Sequence, residues 1–69
     1  MGIFRKRFKE NFNRLIEQKG CTQKEIAEYV KIRQNAVSDW YVGKKVPRFD
    51  KLEKLCEFFE VDISELFKG

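Results

Sequence analysis

The side chains best able to act as nucleophiles or metal ligands in this chain are two cysteines, Cys21 and Cys56. A zinc site needs four ligands, usually histidines or cysteines at C-x-x-C spacing, and the sequence has neither that spacing nor any histidine. The lack of histidine also removes the most frequent general base. We therefore expect no catalytic step, no metal and no cofactor, and we expect both cysteines to be reduced and buried as small apolar residues.

Carboxylates are the other groups that could transfer protons, and three of them, Asp50, Glu53 and Glu57, follow one another at helical spacing. This spacing places them on one face of a helix, where they would be solvated. A chain of 69 residues buries only about 60% of the surface of its unfolded state, so a deep catalytic cleft is not expected. Both observations favour a protein that is not an enzyme.

Positive charge is concentrated in the first two thirds of the chain. Residues 1–48 contain 12 Lys and Arg against 5 Asp and Glu, whereas residues 49–69 contain 3 against 6. The net charges of the two parts are +7 and −3, and the whole chain carries +4. A pI near 9.2, with the basic residues gathered in one part, is typical of nucleic-acid-binding domains.

Four basic residues near the start, Arg5, Lys6, Arg7 and Lys9, alternate with phenylalanines and could also form a helix on a membrane surface. We do not favour this interpretation, because the apolar residues of the segment are needed to complete so small a core. The longest apolar run covers residues 40–42, whereas a bilayer span needs roughly 20 residues. The N-terminus does not resemble an export signal. We expect a cytoplasmic protein with no membrane partner.

Hydrophobic periodicity predicts helices and no strand. A first helix ends at Gly20, and a second starts at the capping-box pattern of Thr22 and Glu25. A third helix is predicted over about residues 33–42, with apolar positions Val37, Trp40 and Tyr41, and ends at Gly43. The predicted apolar positions of the first two helices are Phe4, Phe8, Phe12, Leu15, Ile16, Ile26, Ala27 and Val30.

Pro47 lies in the basic stretch of residues 44–48, which is predicted to be a loop because proline prevents the helix from continuing. A fourth helix follows, and Asp62 with Glu65 is predicted to cap a short fifth helix. The predicted apolar positions of these two helices are Phe49, Leu52, Leu55, Cys56, Phe59, Ile63, Leu66 and Phe67. The predicted fold is all-α, a compact five-helix domain over residues 1–69.

The second and third helices are joined by so few residues around Lys31 and Ile32 that they must cross steeply, as in a helix-turn-helix. Ala27 lies where the two axes would approach most closely, and a small side chain suits that contact. The motif covers about residues 22–42, and residues 22–43 read TQKEIAEYVKIRQNAVSDWYVG. This run resembles the Cro and repressor type of helix-turn-helix domain, also called the xenobiotic-response-element family. The similarity continues upstream, where KGCTQ resembles the KGLTQ of the family, and downstream over residues 47–67.

Two positions depart from the pattern of that family. Lys31 stands where the family commonly has glycine in the turn, and a left-handed lysine would cost about 1 kcal/mol there. Arg33 stands at the cap of the third helix, where Ser or Thr is favoured, and its side chain cannot accept the capping hydrogen bond. We expect a slightly rebuilt turn and a cation placed beside DNA.

The resemblance implies a lambda-repressor-like fold in which the third helix enters the major groove of DNA with its N-terminus first. Gln34, Asn35 and Ser38 are then candidates for base contacts, and paired hydrogen bonds from Gln or Asn would favour adenine. Arg33 could contact guanine or a phosphate, and Asp39 could accept a hydrogen bond from cytosine. The alternative is that these are solvent-facing helix residues.

The resemblance also implies contacts to the DNA backbone. Gln23 opens the second helix, where free backbone amides and the helix dipole favour a phosphate. Lys44, Lys45 and Arg48 flank the third helix and would contact phosphates, and Arg48 could also reach a narrow minor groove. The alternative is a solvated basic loop. Trp40 could stack on a base, but its helical spacing predicts that it faces the core.

These observations predict a sequence-specific regulator of transcription that binds double-stranded DNA, most simply a repressor that occupies an operator. A protein-interaction adaptor, or an antitoxin-like module that keeps the fold, is the alternative. Because one domain of this size has too little interface for specific affinity, we expect a homodimer, at least on DNA, and an operator with an inverted repeat. Phe58 and Phe67 are assigned to the dimer interface.

Overall fold

Helices make up most of the computed structural model, which describes residues 2–69. In that part of the chain the helices are α1 (Ile3–Lys19), α2 (Gln23–Val30), α3 (Gln34–Val42), α4 (Phe49–Phe59) and α5 (Ser64–Phe67). No strand occurs within residues 2–69, and the predicted all-α class is confirmed. α1 packs against α3 and α5, while α2 packs against α3 and α4. The third helix is therefore held by two others, which leaves one of its faces free.

Local sequence signals set the junction between α1 and α2. Gly20 ends α1 in the left-handed conformation, with φ of 70°, and its amide donates to the carbonyl of Ile16. Thr22 then caps α2: its Oγ1 accepts from the amide of Glu25 at 3.1 Å, and its own amide donates to Oε1 of Glu25 at 2.8 Å. The predicted capping box is confirmed, and it defines Gln23 as the first residue of α2.

Lys31 ends α2 in the left-handed conformation, with φ of 64° and ψ of 53°. The amides of Lys31 and Ile32 both donate to the carbonyl oxygen of Ala27, at 2.8 and 3.0 Å. The turn of the helix-turn-helix therefore keeps a geometry that favours glycine although a lysine occupies it. Ala27 itself is buried, in keeping with a close approach of α2 and α3.

Aromatic rings form the centre of the core. The ring of Phe12 lies 5.1 Å from that of Phe8 and 6.1 Å from each of Trp40 and Phe59, measured between centroids. Trp40 is only 5% exposed, so its predicted place in the core is confirmed. The buried apolar residues are Phe8, Phe12, Leu15, Ile26, Ala27, Val30, Val37, Trp40, Leu52, Leu55, Phe59 and Leu66.

Four predicted apolar positions are exposed, and one of them is Tyr41 of α3, at 38%. Phe4 and Phe49 are each 65% exposed, and Ile63 is 41% exposed. Phe4 and Phe49 lie in the first turn of α1 and at the first residue of α4. At these helix ends the neighbouring elements cover little of each ring, and the ring of Phe4 meets only the edge of the core at Phe67, 6.0 Å away between centroids. Periodicity identifies the face of a helix but not how far along it the neighbouring helix extends.

The start of α5 also differs from the prediction. The helix begins at Ser64, its N-cap residue is Ile63, and no side-chain hydrogen bond caps it, so a capping box of Asp62 and Glu65 is not formed. Glu65 instead pairs with Lys68, with Oε1 and Nζ 3.0 Å apart.

A buried amide attaches the end of the chain to α1. Nδ2 of Asn11 donates to the carbonyl oxygens of Arg7 at 2.8 Å and Lys68 at 2.9 Å, and its Oδ1 accepts from Nη2 of Arg14 at 2.9 Å. This contact fixes the position of α5. None of the helices described in residues 2–69 is both long and apolar enough to cross a bilayer.

Candidate nucleic-acid interface

One face of α3 is polar and exposed. Gln34, Asn35 and Ser38 are exposed, whereas Val37 and Trp40 on the other side are buried. At 100° per residue the three polar side chains fall within one exposed sector of the helix. Tyr41 and Val42 continue this sector towards the C-terminus and are 38% and 60% exposed. The packing of Val37 and Trp40 therefore fixes the direction in which the candidate base-contacting side chains point.

Arg33 is the N-cap residue of α3, with φ of −73° and ψ of 147°, and no side chain caps the helix. Its carbonyl oxygen accepts from the amide of Ala36 at 3.0 Å, and its side chain is exposed. The predicted loss of ordinary capping at Arg33 is confirmed. A cation and uncapped amides at the positive end of the helix dipole make this end of α3 attractive to anions.

Asp39 lies at the edge of the exposed sector and is half-buried. Its carbonyl oxygen accepts from the amide of Lys44 at 2.8 Å and from that of Lys45 at 3.4 Å. Through its backbone, Asp39 therefore joins α3 to the basic loop. Its carboxylate remains a candidate for a base contact at the margin of the surface.

The basic loop of residues 44–48 presents three exposed cations, Lys44, Lys45 and Arg48. Between them, Val46 packs against the core and Pro47 is buried. Arg48 is the N-cap residue of α4, and its carbonyl accepts from Leu52 at 2.9 Å. The loop is anchored at its middle and end, so its charged side chains project from a defined backbone.

Gln23 is half-buried at the first position of α2. The capping box uses the amides of Thr22 and Glu25, which leaves the amides of Gln23 and Lys24 outside it. The phosphate contact of Gln23 stays a prediction, made at a helix N-terminus that also carries Glu25 in its first turn.

Two residues of α1 that are not among the predicted DNA contacts lie against the basic loop and the glycine that precedes it. Nη1 of Arg5 donates to the carbonyl oxygen of Lys44 at 3.3 Å. The side chain of Lys9 crosses Gly43, because a Cβ built on that glycine would lie 2.7 Å from Cδ of Lys9. Their i, i+4 spacing beside the apolar stripe of α1 shows that they share a face, but the sequence does not show which segment that face meets.

The residues assigned to a dimer interface lie at opposite ends of α1. Phe58 contacts the ring of Tyr29, with centroids 5.2 Å apart, and Nζ of Lys19 is 5.0 Å from the centroid of Phe58. Phe67 lies 6.0 Å from Phe4. Lys19 and Phe4 are about 22 Å apart along α1 at a rise of 1.5 Å per residue. The structure does not bring Phe58 and Phe67 together.

Both cysteines are free and half-buried rather than fully buried as predicted. Burial raises the pKa of the Cys21 thiol, and the charge of Glu25 adds to that effect. Burial likewise raises the pKa of the Cys56 thiol, with further contributions from Asp62 and Glu53. Thiols in such surroundings stay protonated at neutral pH and are poor nucleophiles. Within residues 2–69, no three His, Cys, Asp or Glu residues gather as a metal site would require.

The sequence of this chain is similar to those of known helix-turn-helix proteins. The sequence profile of a family described as helix-turn-helix matches residues 13–66. The HTH-type transcriptional activator BcrR of Enterococcus faecalis is 36% identical over 62 residues, which cover 90% of this chain and 30% of that protein. The chain thus spans less than a third of the length of this relative.

Two solved structures are similar over most of the chain. The solution structure of the SOS-response transcriptional repressor LexA from Eubacterium rectale superposes with a TM-score of 0.92 at 28% identity, covering 100% of this chain and 73% of that one. The crystal structure of a transcriptional regulator from Listeria innocua gives a TM-score of 0.83 at 31% identity, covering 90% of this chain and 58% of that one.

Proposed function

The chain belongs to the Cro/C1-type helix-turn-helix family of transcriptional regulators, and from that membership we propose that it binds double-stranded DNA sequence-specifically, with α3 in the major groove. The observation that carries the proposal is the exposed polar sector of α3, held by Val37 and Trp40 and joined through Asp39 to the basic loop. Amide side chains on a fixed helix can read base edges, and cations beside them can hold phosphates.

In this arrangement Gln34, Asn35 and Ser38 make the base contacts, and adenine is the preferred partner of the two amides. Arg33 and Asp39 contact the margins of the same site. Gln23, Lys44, Lys45 and Arg48 bind the phosphates on either side, which positions α3 without carrying sequence information.

We propose repression as the mode of action. A bound domain blocks a promoter simply by occupying it, whereas activation needs a further contact with the transcription machinery. BcrR is named an activator and the Eubacterium rectale LexA a repressor, so the family supplies both modes. A promoter fusion with the selected site placed across or upstream of the promoter distinguishes them. The bacterial sources of these relatives support a bacterial or phage protein that acts in the cytoplasm.

Two copies on an inverted repeat complete the proposal. A single domain of this kind buries about 600–1,000 Å² on DNA, whereas specific regulators reach dissociation constants of about 10⁻⁸ M or below. A two-fold dimer doubles the contacts and relates two half-sites about one helical turn apart. Phe67 is the proposed contact between copies, whereas Phe58 lies near the other end of α1 against Tyr29 and Lys19 and is not part of the same patch.

Selection of preferred sequences from a random duplex pool tests the function directly. The selected duplex should bind far more tightly at about 150 mM salt than random duplex, for which dissociation constants of about 10⁻⁴–10⁻⁶ M are usual. Equal affinity for the selected duplex and for random duplex would contradict sequence-specific binding. Failure to bind any duplex would favour the protein-interaction adaptor or antitoxin-like module.

A further inference from the structure

The start of α1 meets the basic loop, and the two residues in contact, Arg5 and Lys44, are 39 positions apart in sequence. Arg5 reaches the loop with a hydrogen bond from Nη1 to the carbonyl oxygen of Lys44, 3.3 Å away. A second contact lies one turn further along α1, where the aliphatic part of Lys9 crosses Gly43. The basic start of the chain is thereby placed beside the loop that carries the proposed phosphate contacts.

Gly43 makes the second contact possible. Its φ of 86° ends α3, and the absence of a side chain leaves room for Cδ and Cε of Lys9, which would lie 2.7 and 3.4 Å from a Cβ at that position. The side chain of Lys9 therefore runs past the C-terminus of α3. Lysine keeps its ammonium in water while its methylenes cover other residues, and the methylenes of Lys9 cover the glycine that precedes the basic loop.

Positively charged residues gather here, and in the described part of the chain they form no ion pair. Within residues 2–69, ion pairs join Lys54 to Glu57 and Lys68 to Glu65, and none involves Arg5, Lys9 or the cations of the basic loop. The guanidinium of Arg5 has five N–H donors and uses one of them in the hydrogen bond to the Lys44 carbonyl oxygen. The other N–H donors are available to a ligand. A surface that concentrates cations in this way attracts a polyanion and releases counterions when it binds one.

We infer that Arg5 and Lys9 form one composite phosphate-binding surface with Lys44, so that the DNA backbone is held by α1 as well as by the helix-turn-helix. The inference rests on the proposed function and extends it to a segment outside the motif. Arg5 acts twice: its hydrogen bond positions the loop, and its remaining donors bind phosphate. Lys9 adds a charge one turn away, beside the end of α3.

The test is the salt dependence of DNA binding by Arg5→Gln, Lys9→Met and the double variant. Methionine keeps the length of the lysine stem over Gly43 and removes the charge. Removal of one phosphate-binding cation should reduce the slope of log K against log salt by about 0.9 in magnitude, on selected and random duplex alike. Lys54→Met is the matched control, because this exposed lysine on α4 pairs with Glu57. Its slope should equal that of the parent.

Charge-preserving variants separate binding from structure. Arg5→Lys and Lys9→Arg should keep the parent slope, and thermal melts of all variants show whether the domain stays folded. The inference would be overturned if the salt dependence of binding by Arg5→Gln and Lys9→Met equalled that of the parent while Lys44→Ala showed a reduced dependence. The proposed function would still stand in that case. Weaker binding with an unchanged slope would also overturn it, since the contacts would then be structural only. A parent chain that binds no duplex would overturn both.

Discussion

Thr22 and Glu25 bind each other's backbone amides, at 3.1 Å from the Glu25 amide to Thr22 Oγ1 and at 2.8 Å from the Thr22 amide to Glu25 Oε1. This reciprocal pair starts the first helix of the helix-turn-helix and so sets the position of Gln23. Thr22→Ala removes one of the two bonds and should lower the free energy of unfolding by about 0.5–2 kcal/mol. Thermal melts followed by circular dichroism measure this change. Thr22→Ser keeps the hydroxyl and should melt close to the parent; equal destabilisation in both variants would contradict the capping role.

Lys31 stores backbone strain in the turn of the motif, with φ of 64°. Lys31→Gly should raise the free energy of unfolding by about 1 kcal/mol, because glycine adopts the left-handed conformation without a steric penalty. Lys31→Ala removes the same charge but keeps a Cβ, so it should bring no gain. Glu60, with φ of 58° at the end of α4, offers an independent site where glycine should have the same effect. If Lys31→Ala raised the free energy of unfolding as much as Lys31→Gly, the gain would come from removal of the charge and not from relief of backbone strain.

Gly43 and Gly20 end two helices with similar backbones but different surroundings. Their φ values are 86° and 70°, yet a Cβ would meet Lys9 at Gly43 and no atom within 4 Å at Gly20. Alanine at either site should cost about 1–2 kcal/mol for the left-handed conformation. Gly43→Ala should cost up to about 1 kcal/mol more, because the Lys9 side chain must leave its rotamer. Adding Lys9→Ala should abolish that excess in denaturant titrations. An excess that persists without the Lys9 side chain would refute this contact.

Base contacts and phosphate contacts should respond differently to truncation. Gln34→Ala or Asn35→Ala should cost about 1–3 kcal/mol on the selected duplex, relax preference at one or two base pairs and leave random duplex nearly unaffected. Lys44→Ala should weaken both duplexes similarly and reduce the salt slope by about 1 in magnitude. Fluorescence anisotropy at several salt concentrations distinguishes the two patterns. Equal weakening on both duplexes for the α3 variants would argue against base readout.

Stoichiometry on DNA tests the proposed dimer. We expect two copies on a selected site with dyad symmetry, measured by analytical ultracentrifugation with and without that duplex. Phe67→Glu should weaken the second binding step. Ile63→Glu, at an already exposed position near α5, provides a variant that leaves the core intact and should act in the same direction. A single copy at saturation on a site without dyad symmetry would exclude the dimer.

Local signals in the sequence account for the helix order and for most helix ends. These signals are the Thr22–Glu25 capping box, the left-handed glycines and Pro47. They act through hydrogen bonds and backbone angles within a few residues, so their effects depend little on the surrounding fold. The same locality explains why Gln34, Asn35 and Ser38 could be identified as an exposed face: Val37 and Trp40 between them occupy the opposite side of one short helix.

Tertiary packing decided how far each apolar face is covered and which distant groups meet. Phe49 continues the stripe of α4 but lies at its first residue and is 65% exposed. Asn11 is buried because Lys68, far along the chain, supplies an acceptor. The contact of Arg5 with the Lys44 carbonyl depends on the angle at which α1 crosses the end of α3. Such contacts depend on helix crossing angles and lengths, which arise from the fit of the whole core and have no signature in any short segment.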